Sequence, residues 1–143
     1  STKVLPKGTT IISARGTVGR LALVGIPMAM NQSCYGLRRI VPETELFTYF
    51  STRTLVGTLQ KHAHGSVFDT ITRETLAGVL VVMPGENLLR VFETKATPLV
   101  EGIRSRLLET QCLAKIRDAL LPVLMSGSVH AEDVTVLIST TGR

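Results

Sequence analysis

An α+β fold is predicted: a small mixed, β-rich domain over residues 1–84, a long helical segment of coiled-coil type over 85–127, and a tail over 128–143. Three observations lead there. Short β-branched and apolar runs punctuated by glycine dominate the first part. From Glu86 to Met125 only Gly102 interrupts, as glycine, a sequence of helix-forming residues. Apolar residues in that stretch recur every three or four positions. With 44% apolar residues the chain can build one core, and with 4% aromatics and no Trp that core rests on Leu, Val, Ile and Ala.

Element by element, Thr9, Thr10, Ile11, Ile12 and Ser13 predict a strand. A turn with Gly16 and Gly19 follows, and Leu21, Ala22, Leu23 and Val24 resume a second strand, a hairpin-like pattern. Residues 27–37 read as a further extended stretch. Residues 45–60 carry Leu46, Phe47, Tyr49, Phe50, Leu55 and Leu59 at helical spacing and predict a helix. A polar loop from Lys61 to Ser66 and a short strand over 67–71 are expected next. Thr72 then caps a helical turn that starts at Arg73. Residues 79–83, an unbroken apolar run before Pro84 and Gly85, read as a buried strand.

Proline removes a donor and crowds the preceding turn, so Pro98 is expected to divide the helical segment into one helix ending near Thr97 and a longer one after it. In the longer helix Leu99, Ile103, Leu107, Leu113, Ile116, Leu120 and Leu124 form an apolar stripe that calls for another helix. Gly127 suits a left-handed C-cap, and the tail after it alternates weakly.

Charge narrows the function. The net charge is +5; residues 1–84 hold nine Lys and Arg against four Asp and Glu, whereas residues 85–143 hold seven of each. A basic excess confined to one part suits a polyanion, because each neutralised phosphate releases counterions; an unoccupied basic surface fits the charge as well. Scarce aromatics argue against single-strand stacking platforms. Cys34 and Cys112 form no CxxC or Cys-His pattern, so buried free thiols are expected and neither a metal nor another cofactor. No apolar run of about 18 residues and no signal-peptide design occurs, which points to a soluble, cytoplasmic protein. No nucleophile elbow, Walker loop or GxGxxG appears, and His62 or His64 with Asp69 offers only thin support for a hydrolase.

The motifs converge on a family. Leu5, Pro6, Lys7 and Gly8, then the run Ile12-Ser13-Ala14-Arg15-Gly16-Thr17-Val18-Gly19-Arg20, resemble the G-x-x-(I/L)-(I/V)-S-x-R-G-x-(I/V)-G stretch of target recognition domains in type I restriction-modification specificity subunits. Asn31-Gln32 resembles their N-Q, Gly65-Ser66 with Ile71-Thr72-Arg73 their G-S-x-x-x-x-I-x-(R/K), and residues 80–84 their L-x-V-P-x-P. Ile116-Arg117-Asp118-Ala119-Leu120-Leu121-Pro122-Val123-Leu124-Met125-Ser126-Gly127 resembles the L-R-x-x-L-L-P-x-L-(L/M)-S-G at the end of the family's conserved helix. At the start of that helix the family's P-P-x-x-E-Q reads Pro84-Gly85-Glu86-Asn87-Leu88-Leu89.

The resemblance implies a non-catalytic module in which residues 1–84 form a target recognition domain that reads half of a bipartite site on double-stranded DNA. The helix would then be a spacer that binds methyltransferase subunits and, through them, the restriction subunit. One recognition domain and one helix suggest an excised fragment or a half subunit that pairs with itself or with another half. An assembly module without DNA binding is the competing expectation.

Arg pairs with guanine and Asn or Gln with adenine, so the candidate DNA-binding residues are Arg15, Thr17, Arg20, Asn31, Gln32, Arg38, Arg39, Lys61, His62, His64, Ser66 and Arg73. Plainer roles stand beside these. Arg15, Arg20, Arg38 and Arg39 suit solvated arginines, Asn31 and Gln32 suit backbone hydrogen bonding, and Arg73 suits a local carboxylate.

Overall fold

In the computed structural model residues 4–39, 43–63 and 70–128 are described, those at 62 and 63 by backbone alone. The order of elements is β1 (Val4–Leu5), β2 (Thr10–Ser13), β3 (Leu21–Leu23), β4 (Met28–Ala29), β5 (Cys34–Leu37), α1 (Glu45–Ala63), α2 (Arg73–Ala77) and α3 (Glu86–Met125). The α+β class is therefore observed. Two compact units divide at Val100 and Glu101.

β2 is the centre of an antiparallel sheet ordered β3-β2-β5, in which Thr10 faces Leu23 and Leu37, and Ser13 faces Cys34. β1 and β4 form a separate two-stranded ladder. Thr10 and Ile12 are buried whereas Ile11 and Ser13 are half-buried, the period-2 alternation of a strand with one face on the core. Ile12, Ala14, Leu59 and Ile71 form that core, with Val18, Leu21, Tyr35, Leu37, Leu76 and Val79 packed against it. The predicted hairpin is thus present as β2 and β3. Residues 27–37 are not one strand: a turn after Asn31 sends β4 and β5 into different sheets.

α1 matches the predicted helix and runs three residues further, to Ala63. Its first turn is held from a distance. Glu93 of α3, itself buried, accepts from the Phe47 N–H at 2.7 Å and the Leu46 N–H at 3.4 Å. Those two N–H groups begin the helix and lack intrahelical acceptors, so the carboxylate satisfies them. Phe92 lies edge-on to Phe47 and Phe50, with centroids 6.5 and 6.0 Å away, and Leu89 is buried beside them in sequence. These contacts explain why the first compact unit extends through α3 to Val100. α2 has the predicted cap: Thr72 Oγ1 accepts from Thr75 N–H, and Thr75 Oγ1 from Thr72 N–H.

Several expectations are corrected. Residues 79–83 form no strand and are not buried, Leu80 being 93% and Val82 90% exposed. Apolar composition suggests burial, but a strand also needs a partner edge for its hydrogen bonds, and residues 79–83 pair with none of the described strands. Pro98 does not divide the helix; α3 passes through it unbroken. Pro98, Thr97 and Leu99 are all exposed, so the Thr94 carbonyl that loses its N–H partner meets solvent, and the proline costs about 3 kcal/mol without ending the helix. Cys34 is half-buried and Cys112 exposed, both free, because Cys112 stands on the solvent-facing part of α3. Of the strand expected over 67–71, residues 67–69 lie outside the described residues, and Ile71 is buried but not in a strand. The tail after Ser128 also lies outside them. Gly127 adopts φ 71° and its N–H donates to the Leu124 carbonyl at 3.1 Å, the expected cap.

Candidate nucleic-acid interface

Ala14, buried immediately after β2, joins three segments that are remote in sequence. Its N–H donates to the Ser33 carbonyl at 2.8 Å, and its own carbonyl accepts from the Ile71 N–H at 3.0 Å. The loop at 14–20, the turn at 31–33 and the approach to α2 therefore meet at one end of the β3-β2-β5 sheet. Arg15, Thr17, Arg20, Asn31, Gln32 and Arg73 ride on these three segments, and all six are exposed.

The loop at 14–20 is built rather than slack. Ser13 N–H donates to the Arg20 carbonyl at 2.9 Å, Arg20 N–H to Ser13 Oγ at 2.9 Å, and Gly19 N–H to the Ser13 carbonyl at 3.0 Å. Ser13 Oγ donates in turn to the Thr17 carbonyl. Gly16 and Gly19 take φ of 75° and 86°, in the left-handed region where a Cβ clashes with the following carbonyl. At Gly16 a Cβ would meet nothing within 4 Å, so the backbone conformation alone demands glycine and the outer side of the turn is open. Gly19 is different: a Cβ there would lie 2.8 Å from Gln60 Nε2 and 2.9 Å from Val56 Cγ1. Gln60 Nε2 donates to the Val18 carbonyl at 2.9 Å.

Asn31 Oδ1 accepts from Ser33 N–H at 2.6 Å, and the Asn31 carbonyl from Cys34 N–H at 3.1 Å. The side chain thus shapes the turn, the plainer of its two expected roles, while Gln32 stands exposed at the turn itself. Arg73 opens α2. Beside it the Glu74 carboxyl is held below its ordinary value, chiefly by a hydrogen bond from Thr72, then by its own backbone N–H and by Arg73.

Arg38 and Arg39 do not join this group. They follow Leu37, which pairs with Thr10, whereas the loop follows Ser13, which pairs with Cys34. The two ends of β5 are about 10 Å apart at the rise of a strand. Arg38 is exposed; Arg39 is half-buried, and its Nη1 is buried with no hydrogen-bond partner among the described residues. Lys61 and His62 are not in a loop either. α1 continues through them because no glycine or proline stands between Leu59 and Gly65, and Leu59, 2% exposed, pins the last turns to the core. Lys61 is exposed, next in the chain to Gln60. His64 and Ser66 lie outside the described residues.

Sequence reasoning missed Gln60 and Ala14. Gln60 looks like an ordinary helix-end residue, and nothing local says that it meets a carbonyl 42 positions earlier. Ala14 sits inside the glycine-bearing motif but has no side-chain chemistry to single it out.

No protein-family model matches the chain. Among curated proteins it is similar to the type I restriction enzyme HindI specificity subunit of Haemophilus influenzae, 26% identical over 135 residues, covering 90% of this chain and 29% of that protein. It is also similar to the type I restriction enzyme MjaIX specificity subunit of Methanocaldococcus jannaschii, 26% identical over 121 residues, covering 81% of this chain and 27% of that protein. The chain spans less than a third of the length of either relative. The resemblance carried by its motifs is borne out by both.

Proposed function

Taking the chain as a domain of the type I specificity-subunit kind, we propose that it reads one half of a bipartite site on double-stranded DNA and directs methyltransferase and restriction subunits to it. It does so without catalysis, in the cytoplasm of its cell; no described helix is long and apolar enough to cross a membrane. The observation that carries the reading is the convergence at Ala14, which gathers exposed Arg15, Arg20, Gln32 and Arg73 at one end of a sheet. Arginine there supplies phosphate contacts and bidentate pairing to guanine, and Gln32 the amide that suits adenine. In this reading Arg15, Thr17, Arg20, Asn31, Gln32 and Arg73 make the DNA-facing set, together with exposed Lys61. Arg38 and Arg39, at the other end of β5, fall outside it.

Binding to duplex DNA over a salt series tests this. A protein that neutralises phosphates loses affinity linearly in log salt, with a slope of about 0.9 per phosphate. Arg15→Ala and Lys61→Ala are each expected to weaken binding and lower the slope by about one phosphate. Binding that ignores salt, or variants with an unchanged slope, would count against the reading.

A second reading rests on α3. Leu99, Ile103, Leu107, Leu113, Ile116, Leu120 and Leu124 are each between 37% and 70% exposed, an apolar row suited to another helix. In the first reading this row pairs the chain with a second copy, or with another half subunit, so that two half-sites are read at a set distance. In the second the helix carries all the function, as an assembly module. A dimer that ignores DNA would favour the second.

A further inference from the structure

Building on the DNA-reading role proposed above, we infer that Gln60 is the positioning residue for the loop at 14–20, fixing where its exposed arginines stand against the end of α1. The hydrogen bonds that shape the loop internally all involve Ser13, apart from one between Val18 N–H and the Gly16 carbonyl. Because Ser13 ends β2, they hold the loop to the sheet but not to α1. Ala14 anchors the base of the loop to residues 33 and 71. Among the described residues, the hydrogen bond that ties residues 15–19 to a helix runs from Gln60 Nε2 to the Val18 carbonyl at 2.9 Å.

Packing reinforces that bond. Val56 and Gln60 are one helical turn apart on α1 and lie flat on the Gly19 backbone, close enough that a Cβ would fall within 3.0 Å of both side chains. Arg15 precedes the tie by three residues and Arg20 follows it by two, while Lys61 is next to Gln60 in the chain. One amide therefore ties the loop that carries two arginines to the helix that carries a lysine. Base reading needs the loop held in place, because a bidentate contact is lost when its donor shifts by about an ångström, whereas non-specific attraction to phosphates tolerates the shift. Gln60 thus acts on discrimination between sequences, through the loop, without touching DNA.

Gln60→Met isolates the hydrogen bond, since methionine keeps the length and the packing on Gly19 but cannot donate. Two measurements on the 143-residue chain decide the matter. Amide hydrogen exchange is expected to speed up at Gly19 and Arg20, whose N–H groups are held by Ser13, by about tenfold relative to wild type. Capture from a random-sequence duplex DNA pool, followed by sequencing, is expected to show enrichment of the wild-type motif reduced by about tenfold. The salt slope and the affinity for bulk duplex should stay as in wild type. A merely structural residue would lower the thermal midpoint and leave the motif enrichment intact.

Unchanged exchange at Gly19 and Arg20 overturns the tie, and faster exchange with unchanged enrichment overturns its role in discrimination. A wild-type chain that enriches no motif overturns the DNA-reading role itself, a failure recognisable before any substitution is made.

Discussion

Thr10 is fully buried in the middle strand of the sheet, and its Oγ1 has no hydrogen-bond partner among the described residues. A buried hydroxyl left unpaired costs about 1 to 3 kcal/mol, and valine has nearly the same shape without that cost. Thr10→Val is therefore expected to raise the thermal midpoint by several degrees; a lower midpoint would show that the hydroxyl is satisfied. The same scale shows what individual residue types disclose. Gly16 was legible as a turn residue because its φ of 75° is a backbone demand that only a few residue types meet. Asn31 was legible as a residue that hydrogen-bonds its own backbone. Gln60 was not legible, since an amide at a helix end announces no partner.

Glu93 shows how one element fixes another. Burial raises its carboxyl above the ordinary value, the Phe47 and Leu46 N–H groups pull it down by less, and Glu45 adds to the rise. A raised carboxyl in the folded state binds its proton more tightly than in the unfolded chain. Its contribution to stability is thus fully present below the ordinary value of 4.5 and is lost as pH rises through the higher folded value. Glu93→Gln, which cannot ionise, should remove that dependence, so the stability of wild type relative to this variant is expected to fall between pH 4 and pH 7. Chemical denaturation at the two pH values measures it, and a gap that widens towards pH 7 would contradict the account. Glu93→Ala leaves two N–H groups at the start of α1 without an acceptor and should cost about 1 to 3 kcal/mol at either pH. Periodicity marks α1 and the helical segment of α3, the Thr72 cap marks α2, and glycines mark the hairpin. The run at 79–83 differs from its expectation because apolarity reports a preference for burial, while a strand also needs a partner edge that local sequence does not specify. Pro98 was misread because its penalty is finite and a long exposed helix absorbs it.

For the whole molecule the proposed pairing rests on the exposed apolar stripe of α3. Leu113 is 58% exposed at its centre. Placing a carboxylate in a helix pair's apolar seam strands a charge that neither partner can neutralise, so Leu113→Asp is expected to shift the mass in solution from dimer to monomer while leaving the helical content largely intact. A wild-type chain that is already monomeric, or a variant that stays dimeric, would remove the stripe from the interface. The α+β class, the helical segment, its capping glycine and the resemblance to specificity subunits were determined by the sequence, because periodicity, turn residues and ordered motifs are local properties written along the chain. Which candidate residues share a face was decided only by the tertiary structure. Ala14 binds segments around residues 33 and 71, Gln60 reaches Val18, and antiparallel pairing carries Arg38 and Arg39 to the far end of β5. The physical reason is that hydrogen bonds between segments this remote depend on strand register and helix docking, which no short stretch of sequence encodes by itself.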